Sequence, residues 1–337
     1  MSDILVSARR GPLMDLHYYG NVAVCDHTGK LLWYAGDPLL VAYARSSAKP
    51  MQAFSVFESG AVTSFGLSGN EIAALCASHS GEDMHVNAVR SILSKAGVPE
   101  SALQCGVHYP MYRPAEIALI QADKKPSTVH CNCSGKHAGM LITAAAYGEN
   151  YDDYTNLNHP VQQRILHNIA DICEYPAEKI VIGVDGCGVP VHAMPLRVFA
   201  HGVAKLAKPE VLGGRAHIIE RIAQEMNAYP EMMSGTGRSC AGILRAGDGK
   251  LLLKSGADGY YMCAVRGEGI GVAVKMINNA PNVSAMVLIE TLRQLGVLSE
   301  AQVARLTPPF YNMEIRNNRK DLTGTITPQF MLKKAEC

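Results

Sequence analysis

Serine and lysine side chains occur at three places along the chain in a pattern that could cleave an amide bond. In chain order, the segments are Ser46-Ser47-Ala48-Lys49, Ser78-His79-Ser80-Gly81 and Lys254-Ser255-Gly256. A serine hydroxyl is a poor nucleophile at neutral pH, and lysine can take its proton only where burial or nearby positive charge lowers the lysine pKa. A spacing of three places Ser46 and Lys49 on one face of a helix start, where free N–H groups favour a developing oxyanion. These segments predict a serine hydrolase with a lysine base.

The order of the three segments resembles the S-x-x-K, S-x-N and K-T-G elements of serine β-lactamases and penicillin-binding proteins, with Ser80 in place of the asparagine. One S-x-x-K is expected by chance in a chain of 337 residues, so that element alone is weak. The third element has the right context, because residues 250–254 are typical of a strand that ends at a Ser-Gly turn. The ordered trio therefore favours acyl transfer.

A second group of candidate residues combines sulfur and nitrogen in glycine-rich turns. It comprises Cys131-Asn132-Cys133-Ser134-Gly135-Lys136-His137 and Cys187. Thiolates and nitrogen bases are the ligands that zinc prefers, and glycine lets such turns converge. The spacing is not that of a zinc finger, so free or redox-active thiols are an open alternative. Lys136 could bind a metal only when deprotonated, and His137 could equally bond a backbone carbonyl.

Two charged residues lie beside these candidates. Arg45 precedes Ser46, and Asp185 follows a run of apolar residues that predicts a buried strand over 179–184. An amino-acid ligand needs an anion for its ammonium and a cation for its carboxylate. Either residue could instead cap a turn or form an ordinary ion pair.

Composition narrows the possible partners. The 31 Lys and Arg against 30 Asp and Glu give a net charge of +1, without a basic stripe for nucleic acid. Residues 1–20 lack a signal-peptide pattern, and no run of eighteen apolar residues is present, so we expect no membrane partner and a cytoplasmic location. In that setting the ten cysteines are expected to be reduced thiols.

Helices and strands are predicted to place the candidate residues at helix starts and strand ends. The first fifty residues are expected to form a small antiparallel unit with strands over 18–25 and 31–35, and later strands are expected near residues 251, 261 and 272. Helices are predicted over 46–60, 70–77, 84–96, 136–147, 158–173, 196–207, 215–227 and 283–295. No composition break marks a linker, so we expect a single domain over 1–337, built as one unit or as two closely packed lobes.

Four longer segments together resemble the rhizobial-type (class 3) L-asparaginases. They are residues 45–50, 77–82, 131–137 and 184–190. The resemblance implies an α/β (α+β) fold akin to serine β-lactamases and glutaminases, with a central, mainly antiparallel sheet flanked by helices. It also implies a homodimer that hydrolyses L-asparagine to L-aspartate and ammonia without an organic cofactor.

The resemblance assigns a role to each candidate. Ser46 matches the nucleophile and Lys49 its base, while Ser78 and Lys254 match a second Ser-Lys tandem. The ligands of a zinc ion (Zn2+) match Cys133, Lys136 and Cys187. Positions that line the substrate pocket match Arg45, His137, Asp185 and Cys240. The zinc is expected to organise the substrate rather than to generate hydroxide.

Other interpretations are open at this point. Ser78 could be the nucleophile in place of Ser46. A β-lactamase-like or D,D-peptidase-like acyl transferase would use the same trio, although its substrates lie outside the cytoplasm. A zinc-dependent thiol sensor would leave the serine and lysine motifs without a purpose. Glutaminase activity differs by one methylene in the substrate, which is worth about 1–3 kcal/mol in discrimination.

Overall fold

The computed structural model describes residues 1–336 and is a mixed α/β structure. Its strands are β1 Asp3–Arg10, β2 Leu13–Asp26, β3 Leu31–Ala35, β4 Val41–Tyr43, β5 Val181–Val184, β6 Pro190–Pro195, β7 Leu251–Gly256, β8 Tyr260–Val265, β9 Ile270–Met276, β10 Met313–Arg316, β11 Leu322–Pro328 and β12 Lys333–Lys334. Its α-helices are α1 Lys49–Gln52, α2 Phe54–Glu58, α3 Ala61–Ser64, α4 Gly69–Leu75, α5 Asp83–Lys95, α6 Arg113–Gln121, α7 Ser134–Ala146, α8 Pro160–Ile172, α9 Leu196–Leu206, α10 Ala216–Ala228, α11 Ser239–Ala246, α12 Val283–Gln294 and α13 Glu300–Ala304.

The chain divides into two compact units. Unit 1 comprises residues 1–47, 193–212 and 242–337, and unit 2 comprises residues 48–192 and 213–241. None of the helices within residues 1–336 is long and apolar enough to span a membrane.

Unit 1 is built on an antiparallel sheet. Over the described residues the strand order is β10-β11-β1-β2-β9-β8-β7, and β3 pairs with both β2 and β12. The run Val22-Ala23-Val24-Cys25 in β2 is fully buried, which means that both faces of the sheet are covered there. Helices α9 and α12 pack against these strands. The predicted fold class, a mainly antiparallel sheet flanked by helices, is confirmed.

Unit 2 is mainly helical, and glycines bring its helices close together. Helix α4 begins with a capping box, in which the Ser68 N–H donates to the Glu71 carboxylate at 2.6 Å. Helix α7 packs on α4, where a Cβ at Gly135 would lie 2.2 Å from the Ala74 carbonyl oxygen. Only a residue without a side chain fits this contact, which sets the position of the first turn of α7.

The structure differs from the sequence prediction in four places. The segment 46–60 is not one helix but a 3₁₀ turn at 45–48 followed by α1 and α2. The strand at 179–184 is shorter and not buried, since Val181 and Val184 of β5 are exposed. Helix α8 begins at Pro160 and is capped by His159, two residues after the predicted start at 158. The strands of the first fifty residues do not stand alone, because β2 pairs with β9 and β1 with β11.

Candidate active site

The amine of Lys49 is the centre of a polar cluster in unit 2. Lys49 is the first residue of α1 and is 1% exposed. Its Nζ donates to the Ala77 carbonyl oxygen, lies 3.1 Å from the Ser78 Oγ and lies 3.4 Å from the Cys133 Sγ. The Nζ thus has three partners, as many as the N–H bonds that a lysine side chain can donate.

Backbone hydrogen bonds fix the loop that carries Ser78. The Ser78 N–H donates to the Met233 carbonyl at 3.0 Å, and the His79 N–H donates to the Asn132 carbonyl at 3.1 Å. These bonds hold the loop in place, so the Ser78 hydroxyl is presented to Lys49 by a rigid backbone.

Two stacked histidines strengthen the same loop. His79 accepts from the Gly81 N–H at 3.2 Å through Nδ1, and its Nε2 lies 2.8 Å from the Ser134 hydroxyl. Its ring stacks on that of His85 with centroids 5.0 Å apart. Burial lowers the pKa of both histidines, to about 4 for His85, so both rings are neutral structural groups at pH 7.

Sulfur and nitrogen atoms converge beside Lys49, as the sequence predicts for a metal site. Cys133 is the N-cap residue of α7, and Lys136 lies one turn later. The Lys136 Nζ donates to the Cys187 Sγ at 3.0 Å. All three side chains are buried.

The pKa values of the two thiols shift in opposite directions. The hydrogen bond from Cys187, aided by the charges of Lys49 and Lys136, lowers the pKa of Cys133 well below its usual value. The same hydrogen bond and burial raise the pKa of Cys187. Burial would lower the pKa of Lys136, but the charges of the two cysteines and of Asp185 outweigh it and raise that pKa. Its surroundings therefore favour the thiolate form of Cys133.

This donor set fits a zinc ion. Two cysteine sulfurs and one nitrogen are zinc ligand types, and a zinc ion would have to displace the proton of the Lys136 ammonium that now lies beside the Cys187 sulfur. Among residues 1–336, no group of three or more His, Cys, Asp or Glu side chains is arranged to hold a metal. A site here would therefore depend on Lys136 as its nitrogen ligand.

Asp185 lies on the turn that carries Cys187. The turn closes through hydrogen bonds from the Asp185 N–H to the Val189 carbonyl and from the Gly188 N–H to the Asp185 carbonyl, both 2.9 Å. The Asp185 carboxylate accepts from the Gly186 N–H at 3.0 Å and lies 3.8 Å from the Cys187 sulfur. The turn thus holds a carboxylate beside the sulfur cluster.

His137 follows Lys136 in α7 and is fully buried. Its Nδ1 lies 2.6 Å from the Tyr154 hydroxyl oxygen, and burial raises the pKa of that phenol above its usual value. Cys240, the remaining predicted pocket residue of unit 2, is buried in α11.

Unit 1 contains Arg45, Ser46 and Lys254. Arg45 has a φ of +53°, a left-handed conformation that is costly for a residue with a side chain and is often found at functional sites. It forms an ion pair with Asp258 and opens the 3₁₀ turn in which Ser46 is half-buried. The turn therefore starts with backbone strain directly before the predicted nucleophile.

The end of β7 lies against this turn. Lys254 is 1% exposed, and its Nζ donates to the Ser255 carbonyl oxygen at 2.7 Å. A Cβ at Gly256 would lie 2.6 Å from the Ala44 carbonyl oxygen and 3.3 Å from the Ser47 nitrogen. Within unit 1, the glycine of the Lys-Ser-Gly segment thus allows β7 to contact the turn that carries Ser46.

Within unit 2 the Ser78 Oγ lies 3.1 Å from the Lys49 Nζ, a contact that the sequence did not predict, and the pairing of Ser78 with Lys254 stays a prediction. Sequence reasoning also missed Tyr154 and assigned no role to His79. Neither has a sequence signal, because their roles arise from contacts with residues distant in the chain.

The sequence model of the L-asparaginase II family matches residues 6–328. The chain belongs to the L-asparaginase II family. It is therefore an amidohydrolase, and L-asparagine is the substrate that its family implies. This membership confirms the asparaginase resemblance. None of the curated proteins compared with the chain matches it significantly.

Solved structures of a protein called Mglu are similar over much of this L-asparaginase II chain. One is 14% identical with a TM-score of 0.38, covering 83% of this chain and 67% of that one. Its native form is 15% identical with a TM-score of 0.37, covering 83% and 65%. Its glutamate form is 13% identical with a TM-score of 0.37, covering 83% and 61%. The chain thus spans about two thirds of the length of these structures or slightly less.

Proposed function

We propose that the protein hydrolyses the side-chain amide of L-asparagine through a Ser-Lys system, with a zinc ion beside it. The match to the L-asparaginase II family over residues 6–328 is the main support for the proposed reaction. The 3.1 Å hydrogen bond between Lys49 and Ser78 supports the Ser-Lys chemistry, because it joins a buried amine to a serine of the predicted catalytic set.

In the proposed first half-reaction, Ser46 attacks the amide carbon of asparagine. Neutral Lys49, three residues later in the chain, takes the hydroxyl proton, and backbone N–H groups at the helix start stabilise the oxyanion. Collapse of the tetrahedral intermediate breaks the C–N bond. The nitrogen leaves as ammonia after receiving a proton through Ser78, which is hydrogen-bonded to Lys49.

In the second half-reaction, water attacks the ester carbon of the acyl-enzyme. Ser78 and its lysine partner remove a proton from that water, and Ser46 leaves with its proton restored, which releases L-aspartate. Lys254 is the second catalytic lysine in this proposal, on the strength of the Lys-Ser-Gly segment.

The proposed metal would be held by Cys133, Lys136 and Cys187. It would supply a positive charge that organises the substrate and the two turns that bear its ligands. The half-buried carboxylate of Asp185 is proposed to bind the substrate ammonium, and the remaining pocket residues are Arg45, His137 and Cys240.

Ammonia release from L-asparagine and L-glutamine tests the function. We expect activity on asparagine in the wild type, its loss in Ser46→Ala and Ser78→Ala, and an acyl adduct of the wild type at Ser46 by peptide mass mapping. Ser47→Ala is the control, because the Ser47 hydroxyl donates to the Ala44 carbonyl at 2.5 Å and should be dispensable for chemistry. If the wild type released ammonia from neither L-asparagine nor L-glutamine, the proposed function would be contradicted. An adduct at Ser78 would exchange the roles of the two serines.

The homodimer implied by the asparaginase resemblance is also proposed. Light scattering coupled to size-exclusion chromatography should give twice the mass of the chain, and the mass of one chain would contradict it.

A further inference from the structure

A cavity of unit 2 lies between helix α6 and the start of α5. Its volume is about 580 Å³, within the range of about 300–1,000 Å³ that is usual for small-molecule sites. All of its lining residues lie within 81–130, and none of them belongs to the candidate catalytic, substrate-binding or metal-binding residues. The cavity is therefore a second place in unit 2 where a small ligand could bind.

Helix α6 presents an apolar stripe to this cavity instead of to a core. The lining includes Ala115, Ala118, Leu119 and Ala122, whose spacing of three and four residues places them on one helix face. No residue of α6 is buried, and α6 has no extensive contact with another helix or strand of residues 1–336. Helices of fewer than about 12–15 residues are marginal in water without packing. An occupant of the cavity would therefore cover apolar surface that α6 leaves open.

One histidine that lines the cavity is fixed as a hydrogen-bond donor. The Nδ1 of His130 accepts from the backbone N–H of Ser127 at 3.0 Å. Burial lowers the pKa of His130, so the ring is neutral at pH 7 and carries its hydrogen on Nε2. This Nε2 has no hydrogen-bond partner within residues 1–336. The ring is half-buried, so its N–H can donate to an oxygen of a ligand.

Two charged side chains of opposite sign also line the cavity. Asp83 is the first residue of α5, and the charge of its exposed carboxylate acts on His130. Lys124 follows α6 and is exposed. Neither charge forms an ion pair within the residues that the structure describes. An anion for an ammonium, together with a cation and an N–H for a carboxylate, are the partners that a zwitterion needs.

We propose that this cavity binds a free amino acid with a large apolar side chain, such as L-phenylalanine, and that its occupation acts on the loop that carries Ser78. The ligand ammonium contacts Asp83, its carboxylate accepts from His130 and is attracted by Lys124, and its side chain covers the stripe of α6. Alanine side chains form a shallow wall that leaves room for a bulky group. The side-chain amide of asparagine would have no partner against that stripe, so the cavity disfavours the substrate of the proposed reaction.

The cavity and the loop that carries Ser78 share a wall. The Tyr112 N–H donates to the Ser80 carbonyl at 3.0 Å, and a Cβ at Gly81 would lie 3.0 Å from the Pro110 Cα. Gly81, Pro110 and Tyr112 all line the cavity. A ligand that contacts these residues favours the loop conformation that they hold, so we expect it to raise kcat/KM for L-asparagine. This effect rests on the proposed function, whereas binding to the cavity does not.

Isothermal titration calorimetry of the full-length protein with L-phenylalanine tests the binding site. We expect a dissociation constant of about 1 mM or lower, and about tenfold weaker binding of 3-phenylpropionate and of phenethylamine, which lack the ammonium and the carboxylate respectively. Ala118→Trp should abolish binding, because its side chain fills the cavity from exposed helix surface. The matched control is Ile117→Trp, since the neighbouring Ile117 is exposed but does not line the cavity.

Three results would overturn the site. The first is no detectable binding of L-phenylalanine by the wild type. The second is unchanged binding in Ala118→Trp, which would place the ligand elsewhere. The third is equal affinity for L-phenylalanine and its two analogues, which would show that the charges of Asp83 and Lys124 take no part.

Ammonia release from L-asparagine, with and without saturating L-phenylalanine, tests the action on the loop. L-phenylalanine should raise kcat/KM by about fivefold in the wild type and in Ile117→Trp, at the lower end of usual coupling between sites, and should have no effect in Ala118→Trp. An unchanged kcat/KM in the wild type would overturn the action on the loop that carries Ser78. If no amide is hydrolysed at all, the proposed function fails, while the calorimetric result decides the binding site by itself.

Discussion

Lys49 and Ser78 are joined so that loss of one proton from the lysine would produce a general base. A neutral amine has two N–H bonds and one lone pair. The two N–H bonds can remain on the Ala77 carbonyl and the Cys133 sulfur, and the lone pair then faces the Ser78 hydroxyl at 3.1 Å. A neutral Lys49 held in this way could exchange a proton with Ser78, the proton relay of the proposed mechanism.

Replacing Lys49 should therefore abolish catalysis. We expect Lys49→Met to lower kcat for L-asparagine by about 10²–10⁴-fold, the contribution usual for a general base. Lys49→Arg should be equally inactive, because a guanidinium does not deprotonate in proteins. Lys205→Met is a matched control, since Lys205 is also a buried lysine but lies in α9 of unit 1. Ammonia release that survives in Lys49→Arg would show that Lys49 acts only as a positive charge.

Metal content tests the sulfur and nitrogen cluster. Purified wild-type protein should contain about one zinc per chain, and Cys133→Ser, Cys187→Ser and Lys136→Met should contain much less, because each removes one of three protein ligands. Inductively coupled plasma mass spectrometry provides the count. The matched control is Cys263→Ser, which alters another buried free thiol, in β8. Zinc content equal to wild type in Lys136→Met would exclude the lysine as a ligand.

Gly256→Ala should damage both stability and activity. A Cβ at this position would lie 2.6 Å from a backbone oxygen, so β7 or the turn that carries Ser46 must move. We expect the free energy of unfolding to fall by about 1–3 kcal/mol, as for other overpacking changes, and kcat/KM to fall as well. Gly214→Ala is the control, because its Cβ would meet no atom within 4 Å. Urea denaturation and ammonia release give the two readouts, and equal behaviour of the two variants would refute the close contact.

His85 should make the protein less stable in acid. Burial lowers its pKa in the folded state to about 4, against 6.5 for the ordinary group, and the nearby Glu82 opposes this only in part. Its Nδ1 accepts from the Glu82 N–H at 3.2 Å and its Nε2 lies 3.1 Å from the Glu231 carbonyl, so a proton on Nδ1 would face a donor. Because the unfolded chain binds the proton more readily, the stability that His85 contributes is complete above pH 6.5 and is lost as the pH falls towards 4.

His85→Gln should accordingly flatten the dependence of unfolding free energy on pH between about pH 6.5 and 4. Urea titrations across that interval measure the slope. His79, which stacks on His85 and also has a lowered pKa, continues to contribute in the variant, so part of the slope remains. His167→Gln, at an exposed position, should keep the wild-type slope. A variant with the same slope as wild type would contradict the assignment to His85.

The sequence predicted those features that depend on local patterns. The helices α9, α10 and α12 and the strands β7 to β9 follow from apolar periodicity and from the residues that end helices. The same periodicity could not place the break between α1 and α2, because two successive short helices present the same apolar side as one helix. The prediction that Val181 and Val184 are buried was wrong, because it was based on their apolar character and apolar residues are also common on protein surfaces.

For the candidate active site, the sequence identified residues that could take part in catalysis or metal binding, but it did not predict which of their side chains are in contact. The family resemblance related Cys133, Lys136 and Cys187 although Cys187 is distant in the chain, and in unit 2 Lys136 does contact Cys187, while their role as metal ligands stays a prediction. The contact of Lys49 with Ser78 was not predicted, because it depends on how the loop after α4 is held by the backbone of residues 132 and 233. Tyr154 could not be found for the same reason.

The pairing of the unit 1 sheet has a consequence for how the chain is made. Arg10 of β1 pairs with Gly324 of β11, which is 314 residues later, and Gly20 of β2 pairs with Met276 of β9. At about 5–20 residues per second, a ribosome would release β1 on the order of tens of seconds before its outer partner exists. During that interval β1 has β2 as a neighbour but an open second edge, the kind of edge that templates aggregation. Expression of this protein should therefore depend on chaperones that shield the nascent N-terminal hairpin until the last strands are synthesised.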